Sequence, residues 1–232
     1  MSGAGDLVSV VVPVYDGAHL VGRALASIAA QTHPAIETIA VDDGSTDDSA
    51  AVVEAWPGGA TLVRQANAGV AAARNAGVAV ATGEYLAFLD QDDVRLPEKL
   101  RRQVDRLSSD GETDVVLVRQ RPVIEEGVEP LATLRPDRVY GDLGGVIPTT
   151  LMVRRETFHR VGPFAEDFTG RDDLDWLLRA RVAGLGIAVI DEVLMERHVH
   201  ADNQTRGIDW MQVMLDTVTR RVAERRGQEP GG

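Results

Sequence analysis

The residues in this sequence whose types and spacing could do chemistry are aspartates, and they come in clusters. Asp90-Gln91-Asp92 follows a short apolar run, Tyr85–Leu89. On an extended segment residues i and i+2 face the same side, so both carboxylates can converge on one point. Two hard oxygen donors suit Mg²⁺ or Mn²⁺, with a ligand's phosphate oxygens filling other positions. The structural alternative is an acidic loop that caps a helix, and Asp93 ahead of Leu96 and Pro97 fits that role. A second cluster, Val41-Asp42-Asp43-Gly44-Ser45-Thr46-Asp47, also follows an apolar run. A carboxylate there can accept from the imide N–H of uracil or from a ribose hydroxyl. Capping accounts for Ser45 and Asp47 but not for two adjacent acids before them.

Three further groups carry side chains of the right kind. In Asn67-Ala68-Gly69 … Ala73-Arg74-Asn75, the fork of Arg74 matches planar acceptors, a base or a phosphate. The alternative is an Ala-rich packed helix with one exposed Arg. In Arg171-Asp172-Asp173-Leu174-Asp175-Trp176, acids open a helix. Asp172 reads as a cap that complements the macrodipole, and a second acid in the same turn is a candidate general base. In Arg197-His198-Val199-His200, alternation places both histidines on one face of a strand. There they could ligate a metal, bind phosphate or line a surface, and His200 is taken as a metal ligand beside Asp90 and Asp92.

The elements that must hold these groups alternate between two periods. Leu7–Val14, Ile36–Val41, Ala60–Val63, Tyr85–Leu89 and Val115–Val118 read as strands, the first rich in β-branched residues as in a strand buried on both faces. Between them lie helical patterns at His19–Ala30, from a cap at Ser45 or Asp47 through Val52 to Trp56, at Val70–Val80, and in a segment with Leu96, Leu100, Val104 and Leu107 on one stripe. Such alternation implies βαβ units and a largely parallel sheet, with ligands beyond the carboxyl ends of the strands. Two of those ends carry the Asp clusters. Further on, Arg121–Leu143 reads as a variable excursion, Val146–Val153 as a strand, Arg155–Val161 and Asp172–Ala183 as helices, and Ile187–Ile190 as a strand. Ile208, Met211, Leu215, Val218 and Val222 mark a last helix.

Composition sets the limits. The 232 residues include 24 Lys and Arg against 36 Asp and Glu, a net charge of −12. A chain so acidic is a poor general binder of nucleic acid or of an anionic membrane, but it can hold a phosphorylated ligand through a divalent cation. The absence of Cys removes disulfides, thiol catalysis and thiolate metal sites. Lys99 is the single Lys, so Schiff-base chemistry and a Walker-type loop have almost nothing to work with. With no signal-like or bilayer-length apolar segment, a cytoplasmic protein is expected, with at most a peripheral contact of its last helix to the inner face of the membrane. That helix is better read as covering the core or a homodimer partner.

Taken together, the motifs resemble the family-2 glycosyltransferases with the GT-A fold. VSVVVPVYDG is similar to that family's first strand, VDDGSTDDS to its nucleotide-binding turn and NAGVAAARNAG to its third signature. YLAFLDQDD is similar to the strand leading into the D-x-D motif, and VGPFAEDF with RDDLDWLLR to the acceptor-side helix. The resemblance runs from about Val8 to Thr205. It implies an α/β fold of three α/β/α layers with a mostly parallel central sheet and a Rossmann-like nucleotide-binding N-terminal half. The expected organisation is a single domain over 1–226: about 7–120 for the nucleotide sugar, about 121–206 for acceptor and catalysis, and a helix over 207–226, with a disordered tail at 227–232. By resemblance, Pro13 and Tyr15 border the base, and Asp42 or Asp43 reads base and ribose. Arg74 and Gln91 lie near the nucleotide sugar. Asp90 and Asp92 hold the diphosphate through Mn²⁺ or Mg²⁺, Asp92 most directly. Asp173 is the base, with Asp172 as the alternative because the family often has Glu-Asp here. Asp16 stands where Asn is frequent.

The resemblance thus implies an inverting, metal-dependent transfer of one sugar from a nucleotide diphosphate sugar, a UDP-sugar above all, to a hydroxyl acceptor. A saccharide, a lipid-linked saccharide or a natural product would serve. The absence of Q-x-x-R-W argues against a processive synthase. Rival readings are an aspartyl-nucleophile phosphatase using Asp90-Gln91-Asp92-Asp93-Val94, a sugar nucleotidyltransferase, and a non-catalytic nucleotide-sugar-binding protein.

Overall fold

In the computed structural model, residues 6–109, 111–128, 148–167, 172–201 and 219 are described. The expected helix over 207–226, the tail at 227–232 and most of the 121–143 excursion lie outside them. The chain runs β1 (Val8–Val14), α1 (Val21–Ala29), β2 (Ile36–Asp42), α2 (Ser49–Glu54), β3 (Thr61–Arg64), α3 (Val70–Val80), β4 (Tyr85–Phe88), β5 (Val94–Arg95) and α4 (Lys99–Ser109). It continues with β6 (Val115–Ile124), a 3₁₀ turn (Pro148–Thr150), β7 (Met152–Arg154), α5 (Arg155–Val161), α6 (Asp172–Val182) and β8 (Ile187–Val199).

The eight strands form one sheet in the order β3-β2-β1-β4-β7-β6-β8-β5. The first four are parallel. β7 is antiparallel to both neighbours, β6 and β8 are parallel, and β5 is antiparallel to β8. The sheet is therefore parallel where the nucleotide-binding half was expected and mixed beyond it. β1 is buried at every position, as its unbroken β-branched run requires. Alternate residues along it feed two cores. Val8, Val10, Val12 and Val14 share one core with residues of α1, α2 and α4, while Val11 belongs to a second core with residues of α3, α5 and α6. Helices thus cover both faces, giving the three layers.

Close approach of α3 depends on its small residues. A Cβ on Gly77 would stand 2.4 Å from Val11 Cγ1 and 3.2 Å from Val41 Cγ2. α6 is seated differently, by aromatics. Trp176 stacks on Phe158 at 5.3 Å between centroids, and Phe164 stands edge-on to Phe88 at 5.1 Å. Such pairs add about 0.5–1.5 kcal/mol each beyond their burial. They fix the helix carrying Asp172 and Asp173 against β4, whose end leads to Asp90.

Four elements differ from the sequence pattern. β6 runs on past Val118 to Ile124, into the segment read as an excursion, and in place of a strand over Val146–Val153 there is a 3₁₀ turn at Pro148–Thr150 followed by the short β7, Met152–Arg154. β8 is 13 residues long, not four, and the two-residue β5 had no signature. The extension of β8 is mixed. Its Leu194, Met195 and Val199 are buried, and its Asp191 and Glu196 pair with Arg119 and Arg121 of β6, so cross-strand partners carry it past its sequence pattern. Among the described residues no helix is long and apolar enough to cross a membrane.

Candidate active site

β1, β2 and β4 end side by side, and β1 lies between the other two, where the strand order reverses. Their loops are laced together by side chains that satisfy backbone N–H groups. Asp16 adopts φ 43°, a left-handed conformation that Asp tolerates better than most residues. Its Oδ1 accepts from Thr46 N at 2.7 Å, while its own N–H donates to Ser45 Oγ. Thus the Asp found where Asn is frequent serves a turn. Gly17 N donates to Ser49 Oγ at 2.8 Å and Ala18 N to Asp47 Oδ2 at 3.0 Å. Gln91 joins the third loop: its Oε1 accepts from Tyr15 N at 2.9 Å and its Nε2 donates to Tyr15 O at 3.0 Å. A Cβ on residue 17 would lie 2.3 Å from that amide, so Gly17 leaves room for it.

The two adjacent acids after β2 have different surroundings. Asp43 is buried and accepts three hydrogen bonds, from Gln65 Nε2, Ala68 N and Gly69 N, at 2.7–2.9 Å. It anchors the loop that starts α3. Asp42 accepts from Ser45 N at 3.0 Å through Oδ1, which leaves Oδ2 for a ligand. Tyr15, 37% exposed, is the open aromatic surface at the end of β1, and Pro13 is a buried β1 residue two positions earlier.

Around the D-x-D loop the acids are crowded. Burial and neighbouring Asp90 push the Asp92 carboxyl above the usual carboxylate range, against the pull of His200. His200 Nε2 lies 3.0 Å from Asp92 Oδ2. That contact exists because β8 doubles back along β5, pairing Glu196 with Val94 and Met195 with Arg95. The same return brings His198 N to donate to Asp93 Oδ1 at 3.1 Å. Asp93 is buried, and desolvation together with Asp92 and Asp90 pushes its carboxyl well up. It ties β8 to the loop, a job beyond the helix cap read from sequence. Asp92 and His200 supply one hard oxygen and one imidazole. That donor set fits Mn²⁺, or Mg²⁺ with fewer protein contacts, when substrate phosphates complete the shell. Among the described residues no three such side chains form a preassembled cage.

Sequence reasoning missed two residues here. Arg95 is buried and its Nη2 donates to Phe88 O at the end of β4 at 2.5 Å. Burial pulls its guanidinium down to about 9, with Asp90 opposing. Asn75 clamps the loop ahead of α6: its amide accepts from Phe164 N and donates to Phe164 O and Glu166 Oε1, all at 2.9–3.0 Å. Its place beside Arg74 in the sequence was the available signal.

Arg74 is not the exposed residue of the packed-helix alternative. It is 4% exposed, and its Nη1 donates to Asp172 Oδ2 at 2.8 Å while Nη2 donates to Asp90 Oδ1 at 2.7 Å. Its fork is closed on two carboxylates, because a buried cation is held by counter-charges. The same pair separates the candidate bases. Asp172 is buried in the ion pair. Asp173 is part-exposed and its Oδ1 accepts from Leu174 N at 2.7 Å. Desolvation and repulsion from Asp172 push its carboxyl up to about 7, against the opposing charge of Arg74.

The profile of glycosyl transferase family 2 matches residues 9–162. The chain belongs to that family. It is 30% identical over 211 residues to an uncharacterized glycosyltransferase of Rickettsia prowazekii, covering 86% of this chain and 66% of the relative. It is 39% identical over 175 residues to one from Nostoc, covering 67% and 53%. The chain thus spans between half and two thirds of these relatives' lengths. The fold is similar to that of S. aureus TarS in complex with UDP, with a TM-score of 0.70 and 22% identity over 91% of this chain and 65% of that one. It is similar too to the mannosyltransferase PcManGT of Pyrobaculum calidifontis in complex with GDP-Man and Mn²⁺, with a TM-score of 0.71 and 22% identity over 97% and 65%. These likenesses establish the GT-A fold, and family membership displaces the phosphatase and nucleotidyltransferase readings of the acid motif.

Proposed function

We propose that this family member is an inverting, metal-dependent glycosyltransferase. It moves a single sugar from a nucleotide diphosphate sugar, with a UDP-sugar as the expected donor, to a hydroxyl acceptor in the cytoplasm. One observation carries the reading: the acid loop after β4 and the first turn of α6 stand on either side of one guanidinium, 2.7 and 2.8 Å away. A donor-holding site and a candidate base are thereby brought together.

In this reading the base lies against Tyr15 and Pro13, and Asp42 Oδ2 accepts from its imide N–H. Asp43 and Gln91 shape the floor. Asp92 and His200 hold a divalent cation, with Asp90 alongside. That cation supplies neutralisation of charge developing on the diphosphate leaving group. Without it, Asp42, Asp90 and Asp92 repel the phosphates. Asp173 accepts the proton of the acceptor hydroxyl as its oxygen bonds to the anomeric carbon, and the bond from that carbon to the diphosphate oxygen breaks. A carboxyl held near 7 suits a base working at neutral pH. Asp172, already paired, serves as a fixed neighbour. The acceptor is a saccharide, a lipid-linked saccharide or a natural product.

The test is a thermal-shift panel of UDP-, GDP- and dTDP-sugars with and without Mn²⁺, followed by assay of nucleoside diphosphate release. Stabilisation by one nucleotide class that depends on Mn²⁺ supports the reading through binding linkage. No shift with any donor overturns it, and tight binding without turnover under any acceptor makes the chain a non-catalytic binder.

A further inference from the structure

We propose that Arg74 is a positioning residue that couples the two halves of the site: it sets the first turn of α6, and with it Asp173, against the Asp90–Asp92 loop, and it does not read the nucleotide. The inference rests on the glycosyltransferase reading above and goes beyond it.

Burial and geometry argue together. Both terminal nitrogens of Arg74 are engaged by carboxylates, and Nε is buried without a partner in the described structure. A guanidinium 4% exposed has no open face for a base or a phosphate. Its two partners lie far apart in the chain, 16 residues away at Asp90 and 98 at Asp172, so the bridge joins segments that meet only through folding. The planar fork can hold one carboxylate on each terminal nitrogen, which the single ammonium of Lys cannot match. The arginine is itself seated from below. Its Cζ lies 6.0 Å from the Phe164 ring centroid, and Asn75, the next residue, holds the backbone of Phe164. One turn of α3 therefore sets both the aromatic floor of α6 and its charged contact. Three carboxylates, Asp90, Asp172 and Asp173, face this one cation. Removing it leaves Asp172 buried beside Asp173 with no counter-charge, and the first turn of α6 relaxes to separate them.

The donor contacts proposed above do not include Arg74, so its loss should leave donor binding nearly unchanged and damage turnover. Arg74→Lys and Asp172→Asn are compared with wild type by calorimetry of UDP binding with Mn²⁺ and by UDP release from the UDP-sugar that stabilises the protein. Amide hydrogen exchange over 172–176 is followed in parallel. Both variants are expected to bind UDP with Mn²⁺ within about threefold of wild type, which also shows that they fold. Both should lose about tenfold or more in turnover at saturating donor and exchange faster in the first turn of α6. The double variant should be no worse than the more damaging single one, because both break one link. A rise of tenfold or more in the UDP dissociation constant of Arg74→Lys, with turnover at saturation intact, overturns the inference and makes Arg74 a nucleotide ligand. Multiplicative losses in the double variant overturn it too. If wild type itself binds no nucleotide with Mn²⁺, the glycosyltransferase reading fails and this inference falls with it.

Discussion

The two sides of the site are held by different means. On the donor side, the loops after β1, β2 and β4 form a mesh in which Asp16, Asp43, Asp47, Ser45, Ser49 and Gln91 satisfy backbone N–H groups across loops. On the base side, α6 meets that mesh through one buried guanidinium, one asparagine clamp and an aromatic stack. The lesson is one of redundancy. Loss of any single strand of the mesh leaves several others, whereas loss of the link to α6 leaves the turn that carries Asp173 without an electrostatic anchor. Donor binding should therefore tolerate substitution better than catalysis does.

The sharpest ways to break this contrast come from the two acids assigned direct roles. Asp173→Asn should lower turnover by about 10²–10⁴-fold while leaving UDP affinity with Mn²⁺ nearly intact, as read by steady-state kinetics beside calorimetry. Asp92→Asn should cost about 10²–10³-fold and abolish the response to Mn²⁺, which a metal titration of turnover reads directly. An Asp92→Asn variant that keeps full metal-dependent turnover would remove Asp92 from the site.

Next in size is the pH response. Asp173 must be ionised to act, so turnover should rise with pH through about 7 and fall below it. Stability has the opposite sign. The folded carboxyl binds its proton more tightly than the unfolded one, so this group makes the protein less stable as pH rises from about 4 to about 7. Paired pH profiles of turnover and of denaturant midpoint check both slopes, and Asp173→Asn should flatten the two together.

Much of the donor half was legible in the sequence, and the reasons are local. α3 and α5 have the bounds read from the pattern, Val70–Val80 and Arg155–Val161, because small or amphipathic residues at helical spacing need no distant partner to declare themselves. β1 declares itself by β-branched residues buried on both faces. What escaped depends on pairing. β5 is two residues long, and the far end of β8 mixes buried Leu194, Met195 and Val199 with charges that find their partners in Arg119 and Arg121. The partners of Arg74 escaped for the same reason: an arginine within an Ala-rich helix shows its charge but not which carboxylates will close on it. Asp42 and Asp43 looked equivalent, and only the loop of 65–69 folding onto Asp43 separates them.

The smallest expected effects belong to the mesh. Asp43→Ala removes the carboxylate that holds the Ala68 and Gly69 N–H groups and leaves both donors to solvent, which should cost about 0.5–1.5 kcal/mol of stability per lost hydrogen bond. Equilibrium denaturation measures it, and UDP affinity should fall modestly as the α3 loop loosens. A loss of turnover as large as that of Asp173→Asn would contradict the contrast between the two sides.

The central claim is that a divalent cation at the acid loop tethers a nucleotide diphosphate sugar opposite Asp173. A crystal structure with UDP-sugar and Mn²⁺ tests it most directly. The account predicts density for the ion against Asp92 and His200, the diphosphate on that ion, and the anomeric carbon open toward Asp173. An ion bound elsewhere, or a sugar turned away from the first turn of α6, would contradict it.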